Sequence, residues 1–366
     1  MYFDKDVAKP VGYEVRNHKS KIENRKLHKP RLIAFEVTRR CRFNCLHCRA
    51  NAGQIDEGSE LITGQCKRIL LSIADFNKPI IILTGGEPME RNDIYDLIEF
   101  GRNLGLQMVM ATCGYLINDK SISRLKDAGI SALSFSLDGA SARNHDAFRQ
   151  ATGAFDSIIK AADLTHRAGI RFQINTTITK TNIDEVAEIA QIAEKLGAYC
   201  FNPFILVPTG RAKQIQDQIL EPEEYENLLN DLLQLKQNSK IQVRVTCGPQ
   251  FARLCRQKGA KELTEDVSGC MAGRGFGFIS YRGNVQTCGF LDISAGNLVE
   301  NNFNFAEIWL QSDFLNKIRN HKAYKGNCSI CQYLKICGGC RARAYSITGD
   351  YLDTDPVCSY IPEEKN

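Results

Sequence analysis

Residues 31–48 read RLIAFEVTRRCRFNCLHC. The apolar run at 31–38, rich in β-branched and aromatic residues, predicts a strand. Two arginines follow, and then Cys41, Cys45 and Cys48 stand with gaps of three and two residues. Three thiolates so spaced fit one tight loop around one metal centre. Thiolates select zinc or iron–sulfur, and spacing alone does not choose between them. A zinc ion would call for a fourth ligand, for which His47 lies in the same small loop.

The chain holds 15 cysteines in 366 residues, long enough to bury an apolar core without disulfide staples. Its first residues, MYFDKDVAKP, are charged where a signal peptide needs an apolar run, and no later stretch approaches 18 uncharged apolar residues. Both features argue against secretion and membrane spanning and for a cytoplasmic location. In a reducing compartment, cysteines at short recurrent spacings read as metal ligands before they read as disulfides. With 47 Lys and Arg against 42 Asp and Glu, the net charge of +5 carries no signature of nucleic-acid binding.

Outward from the first strand the chain alternates. Strand-like runs at 79–85, 106–113, 130–139, 170–177 and 198–207 are separated by amphipathic stretches near 63–75, 91–104, 119–128, 154–168 and 183–196. Gly105, Gly129, Gly169 and Gly197 are placed like helix caps. Alternating strand and helix predicts a parallel sheet with helical crossovers, an α/β fold of partial (β/α)6, TIM-like barrel type. Residues 1–30 read as an N-terminal segment, 31–215 as the barrel core, 216–246 as a linker helix region and 247–366 as a small cysteine-rich domain. Metal binding would supply folding energy to that last part.

The second strand closes on GGEP. Gly85 and Gly86 permit close backbone approach, Glu87 presents a carboxylate and Pro88 fixes the turn. A CxxxCxxC loop after the first strand and GGEP after the second resemble the radical S-adenosylmethionine (SAM) family. The resemblance implies that the catalytic residues Cys41, Cys45 and Cys48 hold a 4Fe-4S cluster with one iron open to SAM. Reductive cleavage of SAM then gives a 5′-deoxyadenosyl radical. Gly85, Gly86, Glu87 and Pro88 would meet the methionyl part of the cofactor. SLDG at 136–139 resembles the family segment that meets its ribose or carboxylate, which brings in Ser136 and Asp138. Arg149 and Asn175 are further cofactor-binding candidates. The family usually has an aromatic residue before the third cysteine, where this chain has His47.

The C-terminal cysteines resemble the SPASM extension of the same family over roughly 247–362. By that resemblance Cys328, Cys331, Cys337 and Cys358 hold one auxiliary 4Fe-4S cluster, and Cys270, Cys288 and Cys340 contribute to another. One or two auxiliary clusters are thus expected. Two residues, not the usual three, precede Cys340. Cys255 and Cys247 are the candidates for a missing fourth ligand, unless one iron stays open. Zinc sites or inert core cysteines are the plain alternative. Cys66, Cys113 and Cys200 read as packing residues.

Residues 31–53, LVPTGRAK at 206–213 and 337–358 resemble the haem-forming branch of the family. That branch oxidatively decarboxylates iron-coproporphyrin III, turning two propionates into vinyl groups. The implied partners are a tetrapyrrole substrate and a low-potential electron donor such as ferredoxin or flavodoxin. A substrate with four carboxylates asks for cations at the barrel mouth, for which Arg149, Arg211, Lys213, Arg341 and Arg343 are candidates. Deacetylation of a sirohaem derivative, haem d1-type trimming and maturation of a peptide substrate are the alternatives.

Overall fold

The computed structural model describes residues 28–53, 60–260 and 269–363, so the N-terminal segment expected at 1–30 lies almost wholly outside the described residues. Six strands carry the core: β1 Leu32–Thr38, β2 Ile80–Gly85, β3 Gln107–Thr112, β4 Ala132–Ser136, β5 Arg171–Ile178 and β6 Cys200–Ile205. They pair in parallel in sequence order, with Phe35 opposite Leu83 and Leu83 opposite Met110. β1 and β6 are not neighbours, so the barrel stays open.

The crossovers are α1 Thr63–Phe76, α2 Ile94–Asn103, α3 Asp119–Ala128, α4 Ala142–Arg149, α5 Ala154–Arg167 and α6 Val186–Lys195. All of them except α4 bury an apolar stripe in the main core, as Ile69, Leu97, Leu125, Ile158 and Ile189 do. The ends of α3 show how the sequence sets these boundaries. Asn118 accepts from the Ser121 amide at 3.0 Å, and Gly129 at φ +88° reverses the chain. The strand expected over 130–139 ends at Ser136. Residues 137–139 instead turn into α4, which Ser141 caps by accepting from the Asn144 amide at 3.4 Å.

After β6 come α7 Pro222–Asn238, a two-residue β7 Gln242–Val243 beside β6, and α8 Gln250–Gln257. The cysteine-rich part then returns to the opposite edge. β8 Phe276–Ile279 pairs in parallel with β1, and β9 Asn284–Gln286 and β10 Gly296–Asn297 continue as antiparallel strands. The result is one ten-stranded sheet in the order β10-β9-β8-β1-β2-β3-β4-β5-β6-β7. Gly277 on β8 faces Trp309, where a Cβ would sit 2.8 Å from the indole ring. This pairing sets the loop after β8 beside the C-terminal end of β1, where the first cysteine loop begins. Among the described residues no helix is long and apolar enough to cross a membrane.

Candidate cofactor and cluster site

Cys41, Cys45 and Cys48 form a satellite cluster with Phe43, Ala50 and Ala52, apart from the main core. The loop is stapled from outside. Arg211 donates from Nε to the Cys45 carbonyl at 2.9 Å and from Nη1 to the Ala52 carbonyl at 2.8 Å, and its amide donates to the Cys48 carbonyl at 2.9 Å. Phe43 N–H donates to Cys41 Sγ at 3.4 Å, and the Arg149 guanidinium reaches Cys45 Sγ at 3.7 Å. Cys113, expected as a packing residue, hydrogen-bonds the Cys41 thiol and holds it below the ordinary thiol range. Burial pushes Cys45 up despite Arg149.

GGEP lies against the same loop. The Gly86 amide donates to the Thr38 carbonyl and the Glu87 amide to the Arg40 carbonyl, both at 2.8 Å. A Cβ on Gly86 would stand 2.1 Å from the Arg40 carbonyl oxygen, and one on Gly85, at φ +151°, 2.0 Å from that of Thr38. Backbone cannot yield there as a flexible side chain can. Gly86→Ala is therefore expected to cost about 1–3 kcal/mol of stability, read as a lower denaturation midpoint; an unchanged midpoint contradicts the close approach.

Pro88 opens a short 3-10 turn, and Glu87 caps it by accepting from the Met89 amide at 3.1 Å. The Glu87 carboxylate also accepts from Thr112 Oγ1 at 2.8 Å and from the Cys113 amide at 2.6 Å. It is fully buried, and among the described residues it pairs with no cation. Burial pushes its pKa up to about 7. A buried carboxylate held by donors but lacking a counter-ion, beside three thiols, fits an incoming ammonium.

Asp138 stands at the turn after β4. Its Oδ1 accepts from the Thr177 amide at 2.7 Å, its amide donates to His145 Nδ1 at 3.0 Å, and Arg149 Nη2 lies 2.5 Å from its Oδ2. Burial would raise this carboxyl, but the Arg149 guanidinium holds it below the ordinary range. Arg149 is thus an internal partner of Asp138 and Cys45, and neither a surface ion pair nor a free carboxylate receptor. His47 stacks on Phe148 at 4.3 Å and 7°, and burial lowers its pKa to about 3. It is therefore neutral, and its 3.9 Å approach to Asp138 is no ion pair. Asn175 donates to Ser134 Oγ at 2.7 Å and accepts from Gln173 at 2.9 Å, within a polar row inside the barrel. Ser136 is half-buried at the end of β4, opposite Asn175.

The C-terminal thiols fall into two neighbourhoods. Cys247, Cys288 and Cys340 share one satellite cluster of side chains. Burial pushes Cys288 up to about 12, and Cys270 and Cys340 add to the rise. Cys270 N–H donates to the Cys337 carbonyl at 2.9 Å, which ties this group to the next. In the second neighbourhood burial raises Cys337 and Cys358, the latter to about 11, with Cys328 a further cause in both. Cys331 is raised in the same way by burial and by Cys328. Thiols gathered in this fashion resist ionising together unless cations join them.

Cys255 departs from the expectation. It is fully buried in the main apolar core on α8, and its thiol is raised by burial with no other cysteine among the causes. Cys247, at φ +58°, takes the place beside Cys340. Cys66 and Cys200 are buried, the thiols pushed by desolvation up to about 12 and about 11. Among the described residues no three ligating side chains close around a single ion. A four-iron cube spaces its thiolates wider than one ion does, so the two thiol quartets and the triad fit clusters by donor chemistry.

Most of the expected substrate cations are spent internally. Arg341 donates to the Asp353 carbonyl at 2.6 Å and reaches Cys328 Sγ at 3.6 Å. Arg343 forms a fully buried pair with Asp355 at 2.8 Å. Arg211 serves the cysteine loop. Lys213 alone of the five is exposed, and it lines a cavity together with Arg39 and Arg49, which motif reading passed over.

Residues 35–193 match the model of the radical SAM superfamily, and 270–340 that of the SPASM iron–sulfur cluster-binding domain. The chain is 40% identical over 346 residues to the AdoMet-dependent heme synthase of Methanosarcina barkeri, covering 92% of this chain and 98% of that relative. It is 41% identical over 342 residues to the AdoMet-dependent heme synthase of Nitratidesulfovibrio vulgaris, covering 91% and 93%. Streptococcus suis SuiB, solved with its precursor peptide SuiA, shares the fold with a TM-score of 0.74 at 19% identity, over 91% of this chain and 76% of that one.

Proposed function

The chain belongs to the radical SAM superfamily and carries a SPASM extension, and from that premise we propose that it oxidatively decarboxylates two propionates of iron-coproporphyrin III to the vinyl groups of haem b. The observation that carries the reading is the near full-length identity of about 40% to two heme synthases.

Cys41, Cys45 and Cys48 would hold the SAM-binding 4Fe-4S cluster. With SAM bound, that group supplies the 5′-deoxyadenosyl radical that takes a hydrogen atom from the substrate. Glu87 would receive the methionyl ammonium, and Asp138, braced by Arg149, His145 and the Thr177 amide, would meet the cofactor's polar rim. Ser136 and Asn175 add hydrogen-bonding groups along the barrel interior. Cys247, Cys270, Cys288 and Cys340 form the ligand set for one auxiliary 4Fe-4S cluster, and Cys328, Cys331, Cys337 and Cys358 that for a second. Cys255 is left out of both. The division into a core at 31–215, a linker at 216–246 and an auxiliary domain from 247 remains part of this reading.

Each reacting arm gives up one hydrogen atom from its β-carbon to the 5′-deoxyadenosyl radical, one molecule of CO2, and one electron that an auxiliary cluster or an external carrier accepts, and keeps a vinyl group. A low-potential donor such as ferredoxin or flavodoxin delivers the electron that starts each cycle. Because β1 and β6 do not pair with each other, the barrel leaves a mouth for a flat macrocycle.

Anaerobic incubation of the iron-loaded protein with SAM, a strong reductant and iron-coproporphyrin III tests the reading. The expected product has lost CO2 and two hydrogens from each of two arms by mass spectrometry. Consumption of SAM with the tetrapyrrole unchanged overturns it.

A further inference from the structure

A cavity of about 180 Å3 lies between the turn that carries Cys48 and the turn that carries Cys288. Arg49, the residue after Cys48, forms one wall, and Gly289, the residue after Cys288, the other. Two glycines allow this closeness. A Cβ on Gly210 would stand 2.4 Å from the Cys48 carbonyl oxygen, and one on Gly289 3.1 Å from Arg49 Nε. The cavity therefore touches both the SAM side of the molecule and its cysteine-rich side.

Its charge is unbalanced. Arg39 and Arg49 lean on one buried carboxylate, Glu36, at 3.4 and 3.2 Å. Each guanidinium also stacks on an aromatic ring, Arg39 on Tyr281 at 4.4 Å and Arg49 on Phe278 at 4.6 Å, which fixes its plane. Arg39 Nε, the atom that approaches Glu36, is buried and makes no hydrogen bond of good geometry. Lys213 forms no ion pair among the described residues, and the one carboxylate among the described lining residues, Asp292, is exposed and accepts from Gln286 at 2.6 Å. Among the described residues, three cations thus face two carboxylates.

The volume is below the ~300–1,000 Å3 of a pocket for a whole drug-sized ligand. It suits one arm of a larger molecule. We propose that this cavity is a propionate-binding subsite, in which Arg49 and Lys213, with Arg39 behind them, grip a carboxylate that the substrate keeps. The proposal rests on the decarboxylase reading above. The choice of a retained arm follows from energetics, because a clamp that stabilises a carboxylate opposes its loss as CO2. A substrate that surrenders two of four carboxylates is held best by one of the two that survive. Held there, the macrocycle lies between the two cysteine turns.

Optical titration of the iron-loaded wild type, K213Q, R49Q and R49K with iron-coproporphyrin III and, separately, with haem b tests this without turnover. Removing one charge-assisted contact is expected to weaken both tetrapyrroles by the same factor, roughly 10- to 100-fold, with R49K partly restoring affinity. Iron content and thermal unfolding select variants that fold like the wild type, and K213Q changes an exposed side chain that forms no ion pair among the described residues. Unchanged affinity in both charge-removing variants overturns the subsite. Weakening of iron-coproporphyrin III alone overturns the retained-arm assignment. Failure of the wild type to bind either tetrapyrrole overturns the decarboxylase reading instead.

Discussion

Replacing Cys41, Cys45 or Cys48 by Ala is expected to abolish 5′-deoxyadenosine formation and to remove about one cluster's iron from each chain. Three thiolates on one short loop leave no spare ligand nearby of equal reach. Cys113 touches Cys41, but it stands at the end of β3, where its amide is already engaged by Glu87. The loop itself should survive the change, because Arg211 holds it through the Cys45, Cys48 and Ala52 carbonyls, which no side-chain substitution removes. Loss of activity with a retained fold is therefore the expected pattern, read by iron analysis, unfolding midpoint and product quantitation. Retained SAM cleavage in any one variant contradicts the assignment of the triad.

Asp355→Asn is expected to destabilise the protein by about 3–5 kcal/mol, the cost of leaving a buried partner charge uncompensated. Asp355 accepts from Arg343 Nε and Nη2 at 2.8 Å, from Gln250 at 2.7 Å and from the Cys340 amide at 2.8 Å. Arg343 in turn donates to the Cys247 carbonyl at 3.1 Å, so one ion pair positions two members of the first thiol quartet. The amide keeps the shape and loses the charge. Burial would raise the Asp355 carboxyl, yet Arg343 holds it below the ordinary range. Its contribution is therefore full above the unfolded carboxylate pKa of about 3.9 and disappears as pH falls through the lower folded value. The gap between wild type and variant should be constant near neutrality and close only in acid, by denaturant midpoints across pH. A neutral-pH difference under about 1 kcal/mol, the range of an exposed pair, contradicts the account.

Much of the barrel was legible because its signal is local. Apolar runs and three- and four-residue periodicity mark β1–β6 and the long crossover helices, and Gly129 marks where a helix must stop. α4 escaped because eight residues with few apolar positions give little periodicity. The pairing of β8 with β1 escaped for a different reason. Its partners lie more than 200 residues apart, and periodicity says nothing of which strand an edge will accept.

The same limit divides the site. Cys41, Cys45, Cys48 and GGEP are readable because their chemistry is packed into short loops. The choice between Cys247 and Cys255 is not, since both are lone cysteines in the same stretch. Only packing separates them: Cys255 faces the core from α8, whereas Cys247 sits on a left-handed turn beside Cys340. Arginines are harder still. Arg149, Arg211, Arg341 and Arg343 look in sequence like free charge and are bonded internally. Arg39 and Arg49, hidden among the residues around the first cysteines, line the cavity.

In the proposed reaction two propionates of one tetrapyrrole are each converted by one hydrogen abstraction. Counting 5′-deoxyadenosine against haem b in an anaerobic time course tests it most directly. The expected result is two molecules of 5′-deoxyadenosine for each haem b, with a monovinyl species rising and falling between substrate and product. Formation of 5′-deoxyadenosine while iron-coproporphyrin III keeps all four carboxylates would contradict it.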